Sequence, residues 1–241
     1  MKILVTGAGG FLGYYIARDL QKVGHEVFNF SRSHHPDLDE LGIITREGNL
    51  NNPSSIDKAL EGIEAVFHVA GKVAMWGKWD DFYQTNTIGT KNLVLSCKAK
   101  GITKFIYTST PSVVFGHDDI LNGDESMDYP EDYLSLYAKS KMLAEKYVLS
   151  SSSEEFQTCA LRPHLIFGPR DKNIIPRLVE AAKNGKLKRV GNGENLVDVI
   201  YVENAAKAHV QAFEKLDKNS KVNGSAYFIA QERPVKLWDF I

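Results

Sequence analysis

The chain has 241 residues, 43% hydrophobic and 24% charged, the balance of a soluble globular protein with one large domain and room for a small appendage. A formal net charge of −1 gives no basis for nucleic acid or an anionic membrane as partner. No apolar run approaches a membrane-spanning length, and only three apolar residues separate Lys2 from Thr6-Gly7, so no signal peptide is read there. Cys97 and Cys159 lie in apolar-periodic segments without metal-like spacing and are expected to be buried free thiols, which suits a reducing cytoplasm.

Strands alternate with helical stretches from the start. Lys2 to Thr6 reads as a strand, Phe11 to Val23 as a helix closed by Gly24, and Glu26 to Ser31 as the next strand. Ile43-Ile44-Thr45 is a short strand, followed by a helix opened by Pro53 and closed by Gly62. Ala65 to Ala70 is apolar and β-rich, and a long helix is predicted from about Asp80 to Lys100. Lys104 to Ser109 reads as strand, Leu136 to Ser150 as helix, and Thr158 to Arg162 as strand. Short apolar strands separated by long helices predict an α/β fold, a doubly wound parallel sheet covered on both faces.

Beyond Phe167 the alternation loosens. Gly168-Pro169-Arg170-Asp171 is loop chemistry, Ile174 to Asn184 reads as a helix, and Gly191-Asn192-Gly193 as a turn. Val197 to Val202 resumes strand character and leads into a helix near Ala205 to Leu216. The final Pro234-Val-Lys-Leu-Trp-Asp-Phe-Ile241 looks like the first turns of an amphipathic helix, with Leu237, Trp238, Phe240 and Ile241 wanting a partner. The natural chain is therefore expected to continue past Ile241, a genuine end docked on the sheet being the alternative. The division expected is a dinucleotide-binding and catalytic domain over 1–165, completed by 198–216. A smaller, incomplete substrate-facing part would comprise 166–197 and 217–241.

Two motifs carry the chemistry. Gly7-Ala8-Gly9-Gly10-Phe11-Leu12-Gly13 follows the buried strand directly and opens a helix. Glycines permit the tight turn and close backbone approach, and the helix N-terminus offers amide donors to a dinucleotide diphosphate. In Tyr137-Ala138-Lys139-Ser140-Lys141, the four-residue spacing puts phenol and ammonium on one helical face. There the ammonium is expected to lower the phenol's pKa so that it exchanges a proton near neutrality. The second strand ends in Ser31-Arg32-Ser33, where NAD binders usually place an acid. A guanidinium flanked by hydroxyls favours a 2′-phosphate, so NADP(H) is the preferred cofactor, with NAD(H) as the alternative.

The chain resembles the extended short-chain dehydrogenase/reductases along its whole length. The resemblance rests on Gly7-x-x-Gly10-x-x-Gly13, Tyr137-x-x-x-Lys141, His68-Val69-Ala70-Gly71, Leu161-Arg162-Pro163, and Asn86 within Thr85 to Thr90. It implies a Rossmann-type fold, Tyr137 as proton donor and acceptor, and Lys141 as the residue that holds the nicotinamide ribose. The family's serine position falls best on Thr110, with Ser109 and Ser112 as alternatives for orienting the substrate oxygen. The resemblance also implies cofactor contacts from Phe11, Leu12, Asn49, Leu50, Val69, Ala70, Gly71, Asn86 and Pro163. The seven histidines show no metal spacing. His68 reads as a satisfied core histidine, and His164, beside Arg162-Pro163, faces the nicotinamide loop without a catalytic assignment.

Within this family the sugar-nucleotide epimerases and dehydratases commonly carry an arginine before the late-strand aspartate, where it pairs with the substrate diphosphate. Val197 precedes Asp198 here, removing that anchor. The stretch Asn195 to Asn204 resembles the 3β-hydroxysteroid dehydrogenase branch, which acts on apolar alcohols and ketones. Lys72-Val73-Ala74-Met75-Trp76-Gly77, Tyr107 to Val113, Pro176-Arg177-Leu178 and Val190 to Asp198 resemble the bacterial 2-alkyl-3-oxoalkanoate reductases. This implies an NADPH-dependent reductase of a small-molecule apolar ketone, with Met75, Trp76 and Phe115 expected near the nicotinamide; packing under a loop is the alternative for Trp76. A nucleotide-sugar epimerase with tightly held NAD, and a non-catalytic NADP-sensing protein, are the competing readings. A homodimer is compatible with all three.

Overall fold

A computed structural model describes residues 1–189 and 191–241; Val190, one of the residues behind the resemblance, lies outside them. The first half runs β1 (Lys2–Thr6), α1 (Phe11–Lys22), β2 (Glu26–Ser31), α2 (Pro36–Asp39), β3 (Ile44–Glu47), α3 (Pro53–Ala59) and β4 (Ala65–His68). It continues with α4 (Trp79–Phe82), a π-helical stretch Tyr83–Ile88, α5 (Gly89–Ala99), β5 (Lys104–Thr108) and a 3₁₀ turn Pro111–Val114. Next come α6 (Leu136–Ser150), β6 (Gln157–Pro163), β7 (Leu165–Phe167), α7 (Ile175–Lys183), β8 (Leu196–Val197) and β9 (Val199–Tyr201). The last elements are α8 (Val202–Lys215), β10 (Ser225–Ile229), β11 (Val235–Lys236) and α9 (Leu237–Phe240).

Seven parallel strands form the main sheet in the order β10-β6-β5-β4-β1-β2-β3. Ile3, Leu4 and Val5 of β1 are fully buried, as are Ala65, Val66 and Phe67 of β4, because helices cover both faces. On one face, Leu12, Ile16 and Leu20 repeat every four residues along α1 and meet Ala206, Val210 and Phe213 of α8. On the other, Ile56 of α3, Leu93 and Val94 of α5, and Ala144 and Val148 of α6 pack beneath Leu4, Phe105 and Tyr107. The strand order reverses at β1, flanked by β2 on one side and β4 on the other. A crevice opens outside the carboxyl ends of the strands at such a reversal, and ligands of open α/β sheets bind there.

Three features depart from the sequence reading. The helix predicted from about Asp80 to Lys100 is one helical run whose middle is π-helical. Its widened turn lets Thr87 Oγ1 donate to the Ser140 carbonyl at 2.9 Å, and Asn86 Nδ2 to Ser140 Oγ at 2.9 Å. Second, the strand predicted over Val197 to Val202 is interrupted at Asp198. β8 pairs with β11, whereas β9 pairs with β7. Third, β10, inside the segment assigned to substrate binding, is the seventh strand of the main sheet. Its residues are half-buried at a sheet edge, so they carry no strong apolar run to announce it. In the tail, Leu237 N–H donates to the Asn195 carbonyl at 3.0 Å, and the rings of Phe240 and Phe167 pack at 5.1 Å. The two cysteines are buried free thiols, and burial pushes Cys159 up to about 12.

Candidate active site

The glycine-rich turn forms because β1 must reverse within a few residues into α1. Gly7 has φ +74°, in the left-handed region that glycine tolerates, and its N–H donates to the Phe30 carbonyl at 3.1 Å. A Cβ on Gly7 would lie 3.0 Å from the Ala70 Cα, and one on Gly13 would overlap the Gly7 carbonyl oxygen. Both glycines are thus required by close backbone packing between turn, helix and the loop after β4. That packing leaves the α1 N-terminus facing a cleft of about 1050 Å³.

Nearly all the cofactor residues predicted from sequence line this one cleft. Gly7, Gly10, Phe11, Leu12 and Gly13 come from the turn, Ser31 and Arg32 from the end of β2, and Asn49 and Leu50 from the loop after β3. Val69, Ala70 and Gly71 follow β4, Tyr137 and Lys141 belong to α6, and Pro163 ends β6. The cradle and its donors fit a nicotinamide dinucleotide. Asn86 is the exception: it is buried and does not line the cleft. Its Oδ1 accepts from Lys72 N–H at 2.7 Å, while Nδ2 donates to the Lys72 carbonyl and Ser140 Oγ. Asn86 therefore ties the loop after β4 to α6, and the expected direct contact is corrected to this bridging role. Ser31 is also partly committed, since its hydroxyl donates to the Ser33 carbonyl at 2.6 Å and accepts from Asn29.

The chemical half of the cleft is built by β5, the 3₁₀ turn and α6. Ser135 caps α6, and Thr110 caps the 3₁₀ turn by accepting from Ser112 N–H at 3.3 Å. Thr108, Ser109, Thr110, Ser112, Tyr137 and Lys141 all line the cleft. Thr110 Oγ1 lies 3.2 Å from Ser112 Oγ, whereas the buried Ser109 hydroxyl has no hydrogen-bond partner among the described residues. Lys141 is buried, its Nζ donating to the Thr108 carbonyl at 2.7 Å and sitting 4.2 Å from the Tyr107 ring centroid.

The electrostatics differ from the sequence expectation. Burial raises the Tyr137 phenol to about 12, with the nearby Thr110 hydroxyl acting in the opposite sense. Burial lowers Lys141 to about 7, with the Glu145 carboxylate pulling the other way. Burial is the largest influence on the Tyr137 phenol, and the Lys141 Nζ is directed to the Thr108 carbonyl.

Behind the cleft, a directed chain of hydrogen bonds fixes the loop after β4. His209 has the same satisfied character, with Nδ1 2.7 Å from the Ala205 carbonyl and Nε2 2.9 Å from Thr108 Oγ1. Thr90 Oγ1 donates to the Asn86 carbonyl at 2.6 Å, so the His68 Nε2 2.8 Å away must be the donor to it. His68 Nδ1 then accepts from Thr6 Oγ1 at 2.7 Å, and Thr6 Oγ1 in turn accepts from the N–H groups of Val69 and Ala70. His68 is a satisfied core histidine, as its place at the end of a buried strand suggested. Burial drives its pKa down to about 3.

The cleft's apolar wall is not the predicted one. Trp76 is 86% exposed and Met75 75% exposed, and neither they nor Phe115 line the cleft. Their loop stands outward from the sheet, so neither channel wall nor packing under a loop describes Trp76. Pro111, Val73, Leu165, Ile166 and Ile174 supply apolar surface instead. Sequence reasoning also missed Asp171, whose carboxylate accepts from the N–H groups of Asn173, Ile174 and Ile175 and shapes the far rim. An aspartate just before a predicted helix start was the available signal. His164 does line the cleft, its Nδ1 donating to the Asp198 carbonyl at 2.6 Å.

Comparison with known proteins agrees with this architecture. The model of the 3-beta hydroxysteroid dehydrogenase/isomerase family matches residues 4–241. The chain is 43% identical over 243 residues to the 2-alkyl-3-oxoalkanoate reductase of Stenotrophomonas maltophilia, covering 100% of this chain and 74% of that one. It is 39% identical over 240 residues to the human sterol-4-alpha-carboxylate 3-dehydrogenase, decarboxylating, covering 98% of this chain and 64% of that one. The chain thus spans about two thirds to three quarters of these relatives' lengths. A solved UDP-glucuronic acid 4-epimerase from Bacillus cereus, in complex with NAD, superposes with a TM-score of 0.84 at 24% identity. It covers 100% of this chain and 82% of that chain, and shows the shared fold. The chain belongs to the 3-beta hydroxysteroid dehydrogenase/isomerase family of NAD(P)-dependent oxidoreductases.

Proposed function

We propose that this chain reduces a ketone on an apolar substrate, a 2-alkyl-3-keto acid or a sterol-like molecule, using NADPH. The observation that carries the reading is that Tyr137, Lys141 and Thr110 line the same cleft as the glycine-rich turn. NADPH supplies the hydride when bound. Tyr137 delivers the proton to the developing alkoxide, and Thr110, which lines the same cleft, orients the substrate oxygen. Lys141 places a cation beneath the site, with one N–H anchored on Thr108 and the others available to a ribose hydroxyl. The phenol at about 12 must release its proton more readily once substrate and cofactor occupy the cleft, because a general acid works best near ambient pH.

The substrate class follows from charge and from kinship. Val197 is half-buried and pairs with Val235, leaving no arginine before Asp198 to meet a diphosphate. Apolar substrate surface gains about 25 cal/mol per Å² when buried, whereas an unpaired diphosphate loses its hydration uncompensated. The named relatives, which act on alkyl-oxo acids and sterol carboxylates, support the same class. Arg32 lines the cleft at the end of β2 and supports NADPH over NADH. A screen of 2-alkyl-3-keto acids, sterols and sugar nucleotides, followed by nicotinamide absorbance, tests the reading. Net NADPH oxidation that grows with alkyl chain length is expected. Turnover of a sugar nucleotide without net cofactor consumption would favour epimerisation instead.

A further inference from the structure

Arg170, in the loop between β7 and α7, places a long side chain on a backbone that L-residues avoid. Its φ is +72°, a strained conformation that persists only where surrounding contacts impose it. The guanidinium lies 3.8 Å from the centroid of the Tyr14 ring on α1 and pairs with the Asp37 carboxylate of α2. The neighbouring Pro169 carbonyl accepts from the Tyr15 hydroxyl at 3.0 Å, a second tie between this loop and α1. From the other side, the loop after β2 lies against the glycine-rich turn, so closely that a Cβ on Gly9 would run into the His35 ring. The two loops come from opposite sides of the strand-order reversal: β2 flanks β1 on one side, and β6, which leads into β7, lies on the other. Both form rims of the cofactor cleft. Arg32 lines it on the β2 side, and Asp171, Asn173 and Ile174 line it just past Arg170.

We propose that Arg170 is a positioning residue for the cofactor: with Asp37 and Tyr14 it clasps the two rims of the cleft together over the first turn of α1, and so slows the release of a bound nicotinamide dinucleotide. The proposal rests on the reading of the cleft as the dinucleotide site, and on neither the substrate nor the reaction. Arg170, Asp37 and Tyr14 stand outside the cleft lining, so the clasp acts on a bound molecule only through the rims it joins. A dinucleotide lying along the cleft spans both rims, and its departure is easier once they can part. The half-exposed ion pair is weak alone, but it bridges segments 133 positions apart in sequence, and stacking on Tyr14 holds the guanidinium in line for it.

The test is the rate at which NADPH leaves the full chain, followed by stopped-flow loss of its fluorescence on a chase with excess NADP⁺. Asp37→Asn removes the pair and should speed release about threefold. Arg170→Asn tolerates the left-handed backbone but loses both pair and stacking, and should speed it about tenfold. The two substitutions together should release no faster than Arg170→Asn alone, because the side chains form one clasp. Arg170→Lys, which keeps a charge for Asp37, should release more slowly than Arg170→Asn. Unchanged release in both single variants would overturn the proposal, as would effects that multiply in the double variant. An earlier melt of the cofactor-free variants, in step with their faster release, would reduce Arg170 to a loop anchor and overturn it as well. Release is read without substrate, so a failed reduction leaves the clasp standing, whereas no NADPH binding by the unmutated protein would overturn the cleft reading and the clasp together.

Discussion

Acid should destabilise this fold through two buried imidazoles. His68 and His209 are held neutral, at about 3 and about 4, because burial removes the water that would solvate their charge. In the unfolded chain both return to about 6.5, so below that pH the unfolded state binds protons that the folded state refuses. Stability is fully retained above about 6.5 and falls as pH drops toward the folded values, by about 1.4 kcal/mol per pH unit for each ring. At about pH 5 each ring has cost about 2 kcal/mol, together about 4, a large share of the 5–15 typical of a domain. Lys141, lowered to about 7, acts only above that pH, where its ordinary charge is missing from the folded state, and so leaves the acid window clear. Urea unfolding followed by tryptophan fluorescence at several pH values measures the slope. His209→Gln should keep a hydrogen bond to Thr108 or Ala205 and halve the pH dependence between about pH 6 and 5. Stability that is flat across this interval, or a slope unchanged in the variant, would refute the assignment.

Two further perturbations probe the cofactor cleft. In Gly13→Ala the new Cβ would sit 2.8 Å from the Gly7 carbonyl carbon and 3.0 Å from the Ala8 Cα, forcing α1 away from the turn. The overpacking cost of about 1–3 kcal/mol exceeds the gain of about 1 from better helix propensity. The variant should therefore melt earlier and lose nicotinamide fluorescence enhancement. Arg32→Ala should remove a charge-assisted contact of about 1.5–3 kcal/mol, equalising NADPH and NADH affinity in a fluorescence titration. Equal affinity before mutation would reject the 2′-phosphate assignment.

The dinucleotide half of the molecule was legible because its constraints are local. A buried strand, four glycines and a helix start occupy twelve consecutive residues, and the geometry at Gly7 and Gly13 admits no side chain. Tyr137 and Lys141 were legible for the same reason, being one turn apart on a helix whose bounds match the prediction. Harder features depend on partners distant in sequence. Asn86 looks like a polar cleft residue until the Lys72 backbone and Ser140 are seen to consume its amide. Arg162 and Glu145 pair across 17 positions, and no local pattern marks them as a unit. The half-buried β10 gains its place from pairing with β6, which its own sequence does not encode. Trp76 misled because an aromatic residue beside a cofactor motif suggests a wall, whereas its loop leaves it 86% exposed.

The most direct test follows NADPH oxidation and alcohol formation together, with a long-chain 2-alkyl-3-keto acid, in the unmutated protein and in Tyr137→Phe. The proposed mechanism predicts one alcohol formed for each NADPH consumed. Turnover should fall by about 10²–10⁴-fold in the variant, the usual worth of a positioned general acid, while cofactor binding stays nearly intact. Retention of more than about a tenth of the activity in Tyr137→Phe, or conversion without NADPH consumption, would contradict it.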